Sequence, residues 1–118
     1  MYKFYNANKH GRYVNDCTIR AISLAEGKSW QETYDELSYL AGKNGIILDD
    51  VNFIEPLLDS RYRRVHIKEK YVGEFANNHP RGVYIIAVRS HLTCCVDGCI
   101  YDTFNPLGRK ILKAWKVA

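Results

Sequence analysis

Three residues far apart in this chain have the chemistry to cut an amide bond between them: Cys17, His91 and Asp102. A thiolate attacks a carbonyl carbon, an imidazole moves the proton, and a carboxylate fixes the imidazole tautomer and steadies its cation. Cys17 stands in "RYVNDCTIRAISLAEG", just after Asn15 and Asp16 and at the start of an apolar-periodic stretch. In the first turn of a helix a thiol meets unpaired N–H groups and the positive end of the macrodipole, which favour the thiolate. A protonated histidine nearby lowers the thiol pKa further, and a backbone N–H there can hold an oxyanion.

The pairing of His91 with Asp102 follows from a hairpin. "HLTCCV" and "CIYDTF" are joined by Asp97-Gly98, a strong signal for a two-residue turn with positive φ at both positions. That turn pairs Val96 with Cys99, Cys95 with Ile100, Cys94 with Tyr101 and Thr93 with Asp102. Opposed residues share a face and faces alternate, so His91, Thr93 and Cys95 share a face with Asp102. Asp102 is then the diagonal neighbour of His91, whereas Asn105 has the opposite parity. Each residue alone has a plainer explanation. A cysteine at a helix start is commonly a small packing residue, a histidine near a strand start is commonly a surface residue, and Asp102 can form an Asx-turn into "TFNP". Three unrelated positions that suit one mechanism favour the chemical reading. Cys94, Cys95 and Cys99 serve as a control, placed mid-strand or at the turn and read as small core residues.

The elements that must position these groups read as helices first and strands after. Residues 1–15 are polar and aromatic and are expected to form an irregular arm. Thr18, Ala21, Ile22 and Ala25 follow helical spacing over about Asp16 to Glu26, with Ile19 and Leu24 widening the stripe and Gly27 ending it. Ser29 and Glu32 form a capping-box pattern before a second helix, Trp30 to about Ala41, with Trp30, Tyr34, Leu37 and Ala41 on one face. "DDVNFIEPLLD" reads as a short third helix, capped by Asp49 or Asp50 and burying Val51, Ile54, Leu57 and Leu58, with Pro56 against its continuation. "YRRVHI" is a short strand and "VGEFANNHP" a short helix ending before Pro80. "GVYIIAVR" reads as a central strand, and "KILKAWKV" as the last strand. The pattern predicts an α+β fold over a single domain, residues 1–118, with N-terminal helices packed against a C-terminal antiparallel β-sheet.

Composition excludes several classes. No stretch approaches the roughly 18–20 apolar residues of a membrane span. The N-terminal residues lack the apolar h-region of a secretory signal, so a cytoplasmic protein is expected. Net charge is +4, from 17 Lys+Arg against 13 Asp+Glu. The densest basic cluster, Arg61 to Arg64 with Lys68 and Lys70, reads as a solvated edge strand rather than a phosphate-binding patch, because no nucleic-acid module accompanies it. Cys95 and Cys99 have a zinc-compatible spacing but no second pair completes a site. Cys94 and Cys95 would point to opposite faces of a strand. Neither metal, disulfide nor cofactor is expected.

"NDCTIRAISLAEGKSWQETYDEL", "GEFANNHPRGVYIIAVRSHLTCCVDGCIYDTFNP" and the late "KAW" resemble a family of small papain-like proteins encoded by bacteria and their phages. The resemblance is weakest over residues 44–71, and its specific elements are "DC-x-x-R-A" together with "H-x(10)-D". It implies a papain-like fold and a cysteine peptidase or amidohydrolase acting on a peptide or protein substrate. Cys17 would be the nucleophile, His91 the base and Asp102 the orienting residue. Papain-like enzymes usually carry a Gln about six residues before the cysteine to complete the oxyanion hole, and Gly11 stands there instead. Asn8 is the replacement expected, with Asn6 and Asn15 behind it. The missing Gln and the basic 61–70 segment also motivate a second reading: a non-catalytic binding protein on the same fold that blocks a host protein target.

Overall fold

The computed structural model describes residues 1–8, 10, 16–47 and 51–118. Four helices and a six-stranded sheet form a mixed α+β architecture among these residues. The first helix, α1 (Cys17–Glu26), ends at Gly27 with φ +69°, the left-handed conformation that glycine adopts without penalty. The second, α2 (Trp30–Lys43), starts in the expected capping box: the Ser29 side chain accepts the Glu32 N–H at 3.0 Å, and Glu32 accepts the Ser29 N–H at 3.1 Å. Its buried line is Thr33, Leu37 and Ala41. Tyr34, expected on that face, is 41% exposed and lies stacked on Trp30 at its flank. The third, α3 (Val51–Arg61), carries through Pro56, because Ile54 and Leu58 on either side of the proline are anchored in the core. Leu57 is half-buried. The Val51 side chain and the expected caps Asp49 and Asp50 lie outside the described residues. The last, α4 (Val72–Asn78), stops two residues before Pro80 as expected.

The strands are β1 (Tyr2–Phe4), β2 (Arg63–Arg64), β3 (Val83–Val88), β4 (His91–Val96), β5 (Cys99–Asp102) and β6 (Lys113–Lys116), in the order β1-β5-β4-β3-β6-β2. Two expectations are corrected. The N-terminal arm is not irregular throughout, since Tyr2–Phe4 pairs with β5; three residues are too few to show a period, and their partner lies about a hundred residues on. That pairing is parallel, so the sheet is mixed rather than antiparallel. The predicted first and last strands are also shorter than their apolar patterns. Only Arg63 and Arg64 pair with β6, as an edge strand, and Arg61 and Arg64 are occupied by ion pairs with Glu26, Glu36, Glu55 and Asp59.

The sheet sorts its side chains by parity. Ile85, Ala87, Leu92, Cys94 and Trp115 join α1, α2 and α3 in one apolar cluster. Tyr84, Ile86, Cys95, Ile100 and Ala114 join α4 in the other. Cys94 and Cys95 thus face opposite sides, as a strand requires. No helix among the described residues is long and apolar enough to cross a membrane.

Candidate active site

The β4–β5 hairpin forms on the predicted register. Asp97 and Gly98 have φ +49° and +78°, and Val96 pairs with Cys99, Cys95 with Ile100 and Cys94 with Tyr101. This register brings His91, the first residue of β4, beside Asp102, the last of β5. His91 Nε2 and Asp102 Oδ2 are 2.7 Å apart. The parallel pairing of β1 steadies this end of the sheet, since the Asp102 carbonyl accepts the Tyr5 N–H at 2.9 Å and the Tyr2 hydroxyl at 3.1 Å. The Phe104 ring lies against the imidazole, with centroids 4.7 Å apart, and screens one side of it from water.

Cys17 opens α1, which packs over the face of the sheet that carries Leu92 and Cys94. The strongest interactions that pull its thiol pKa down come from His91 and from the backbone of Leu92. Sheet geometry explains why Leu92 has a free N–H. The β3 residues Val83, Ile85 and Ala87 turn their peptide groups toward β6, as the Val117 N–H bond to Val83 O at 2.8 Å requires. Leu92, paired with Ala87, therefore turns its own toward β5. That strand has ended at Asp102, and the Thr103 N–H is diverted to the Asp102 carboxylate at 2.7 Å. The Leu92 N–H is left for the sulfur.

These contacts set the charges. Burial pushes the Cys17 thiol up, but the His91 hydrogen bond, the Leu92 N–H and the positive charges of His91 and Arg20 outweigh it and hold the pKa below its ordinary value. Burial would lower the His91 pKa, yet the hydrogen bonds and charges of Asp102 and Cys17 raise it from 6.5 to about 9. Asp102 stays ionised: burial raises its pKa, and the His91 hydrogen bond and charge, with the Thr103 N–H, carry it below the ordinary value. All three shifts run in the direction of a thiolate–imidazolium pair backed by a carboxylate.

Four features of this site go beyond what the sequence pattern predicts: Arg20, Trp30, the role of Asp16 and the Leu92 N–H. The Arg20 guanidinium donates to Asp16 Oδ1 at 2.7 Å through Nε and to Asp102 Oδ1 at 2.8 Å through Nη1. The Trp30 indole N–H takes the second Asp16 oxygen at 2.8 Å. Asp16 is the N-cap residue by position, yet its side chain makes no capping bond, because both oxygens are committed elsewhere. The sequence does carry a signal for the cation: Arg20 interrupts a run in which Thr18, Ile19, Ala21, Ile22 and Ser23 are all buried. A cation in such a run must find acidic partners, and Asp16 lies one turn back.

Asn8 is buried; its Oδ1 accepts the His10 N–H and its own N–H donates to Asn6 Oδ1, each at 3.0 Å. The oxygen so held leaves the carboxamide NH₂ as its donor end. Gly11 and Asn15 lie outside the described residues. A groove of ≈ 380 Å³ opens beside the sulfur, between Asp16–Thr18, the β3–β4 turn, Ile54 and Glu55 of α3, and Leu112 and Lys113. Its walls are mostly apolar, and the Lys113–Glu55 ion pair spans its far side. Cys94, Cys95 and Cys99 are buried, and all four cysteines are unpaired.

The fold and the site together define an α+β domain with a Cys–His–Asp arrangement at one end of its sheet. No protein family, curated protein or solved structure matches this chain.

Proposed function

We propose that this protein is a papain-like cysteine peptidase or amidohydrolase, with Cys17 as nucleophile, His91 as acid and base and Asp102 as the orienting carboxylate. One observation carries the reading: Cys17 and His91 line the same groove, and the His91 Nε2 is held 2.7 Å from a buried carboxylate. Structural thiols do not need this company. The Cys17 thiolate adds to the amide carbonyl, and the carbonyl oxygen takes the negative charge. In this mechanism the first-turn N–H groups of α1, which have no Asp16 side-chain cap, would receive that oxyanion, with the Asn8 NH₂ as side-chain candidate. The tetrahedral adduct collapses, the C–N bond breaks, and the imidazolium gives its proton to the leaving amine. Water, deprotonated by the now neutral His91, attacks the thioester; the C–S bond breaks, the acid leaves, and the thiolate–imidazolium pair is restored.

The ≈ 380 Å³ groove has the volume and the mostly apolar lining to take a segment of a peptide or protein substrate. A reducing, cytoplasmic setting fits a thiol nucleophile accompanied by three further unpaired cysteines. The test is competitive labelling of the native protein by a thiol probe at neutral pH, read by peptide mass spectrometry, followed by a peptide-library cleavage screen. Cys17 is expected to label first, and Cys17→Ala to abolish any cleavage found while the fold is kept. Equal labelling of the four cysteines, or cleavage that survives Cys17→Ala, defeats the proposal; a host-binding effect that survives Cys17→Ala favours the binding protein instead.

A further inference from the structure

We propose that Arg20 is a positioning residue of this site, its guanidinium clamping the start of α1 to the end of β5 and so setting how Cys17 meets His91. The inference rests on the thiol-nucleophile reading above and adds a residue to it. Three observations converge. Arg20 reaches two acids at once, Asp16 at 2.7 Å and Asp102 at 2.8 Å, through different nitrogens. The first acid immediately precedes the nucleophile; the second holds the base. The clamp is shielded from water: the Arg20 side chain is 12% exposed and those of Asp16 and Asp102 are 4% and 1% exposed. Charges so buried persist only when paired, which makes the bridge a fixed part of the site rather than a surface contact.

The clamp orients both its partners. Asp102 has one oxygen on His91 and the other on Arg20 and the Thr103 N–H, so its carboxylate cannot turn away from the imidazole. Asp16 has one oxygen on Arg20 and the other on the Trp30 indole, so it cannot fold back to cap α1. The same cation therefore fixes the base and leaves the first turn of α1 without an Asp16 side-chain cap. Lysine has no fork to span two carboxylates in this way.

Electrostatics give the clamp a signature that packing alone lacks. Among the described residues, the titratable groups facing it are Asp16 ahead of α1, Cys17 on α1, His91 and Cys94 on β4, Asp102 on β5 and, on β1, Tyr2, whose hydroxyl bonds the Asp102 carbonyl; α2 contributes the neutral Trp30 indole. Cys94 is pushed up to about 12 by burial and stays a neutral thiol. Removing the Arg20 charge must raise the pH at which Cys17 becomes a thiolate, and removing the Asp16 charge must lower it. A residue that merely supports the fold does not give shifts of opposite sign.

The experiment follows iodoacetamide alkylation of Cys17 against pH in the full chain, with cooperative thermal unfolding as the check on folding. Arg20→Gln is expected to move the acid limb up by about one pH unit, slowing alkylation about tenfold below it. Asp16→Asn is expected to move the limb down. Arg20→Lys, which keeps the charge but not the fork, restores it part of the way. A folded Arg20→Gln protein with the wild-type limb overturns the proposal, as do shifts of the same sign in Arg20→Gln and Asp16→Asn. Should Arg20→Gln not fold, Arg20→Lys and Asp16→Asn decide: opposite shifts support the clamp and absent shifts overturn it. A wild-type Cys17 no faster than the other cysteines sinks the nucleophile reading and this one with it, so the two failures are told apart by the wild-type result alone.

Discussion

Cys17 and Cys94 border the same apolar cluster, and their thiols move in opposite directions. Burial penalises the thiolate at both. At Cys94, in the middle of β4, little opposes it: the peptide groups around it are spent on the sheet ladder, and the Asp102 charge raises its pKa further, to about 12. At Cys17 the sheet has ended. Its termination frees the Leu92 N–H, sets the His91 ring against Asp102, and lets Arg20 reach Asp102. The interior of a sheet uses up its polar groups and leaves thiols inert. Its end leaves polar groups over, and a helix start placed there collects them.

The comparison breaks most sharply if the end of the sheet is disabled. Cys17→Ala and His91→Ala should each lower kcat/KM on a cleaved amide by at least about 10⁴-fold, and the double variant should be no worse than either single one, because the two groups act as a unit. Additive losses in a kinetic comparison of the three variants would show that His91 works independently of Cys17. The next largest effect is the labelling ratio. At pH 7, Cys17 should alkylate at least about 100-fold faster than Cys94 or Cys95, since a thiol at about 12 or 11 offers very little thiolate. Unfolding in urea should erase the ratio, which separates an effect of the folded site from one of local sequence.

The reactive side of this comparison is partly legible in the amino-acid sequence. Asp97-Gly98 encodes its own turn, so the β4–β5 register, and with it the nearness of His91 and Asp102, follows from local chemistry. Cys17 is legible because a helix start has a local signature. Arg20 is legible only in part: a cation inside the apolar run calls for an acidic partner, and Asp16 stands one turn back, but its second partner, Asp102, lies far along the chain. The Tyr2–Phe4 strand is hidden for the same reason: parallel pairing with Cys99–Asp102 is a wholly non-local event, and three residues carry no period. The Leu92 N–H has no side-chain signature at all. Its availability depends on where a neighbouring strand stops.

A pH profile sharpens the comparison on a smaller scale. In the proposed mechanism the working form has Cys17 ionised and His91 protonated. Below the lowered Cys17 pKa the thiolate takes a proton and the rate falls. Above about 9 the imidazolium loses the proton that the leaving amine needs, and kcat/KM should fall by about tenfold per pH unit. A plateau between the two limbs is expected. A profile that rises through pH 9, as for an unassisted thiol with an ordinary pKa, would remove the ion pair from the mechanism.

The smallest effect on the chemistry is expected where burial alone rules. Cys94→Ser puts a hydroxyl among Ile22, Leu37 and Trp115 in the helix-facing cluster. Both backbone groups of Cys94 are already engaged by its pairing with Tyr101, so the new hydroxyl gains no ready partner. The cost should be about 1–3 kcal/mol of stability, read as a lower urea midpoint with an unchanged slope. The alkylation rate of Cys17 and its pH limbs should stay at their wild-type values, because Cys94 keeps no charge near the site in either form. If Cys94→Ser shifted those limbs, the two cysteines would be electrostatically coupled through β4, and the division between an inert interior and a reactive end would have to be redrawn at Leu92.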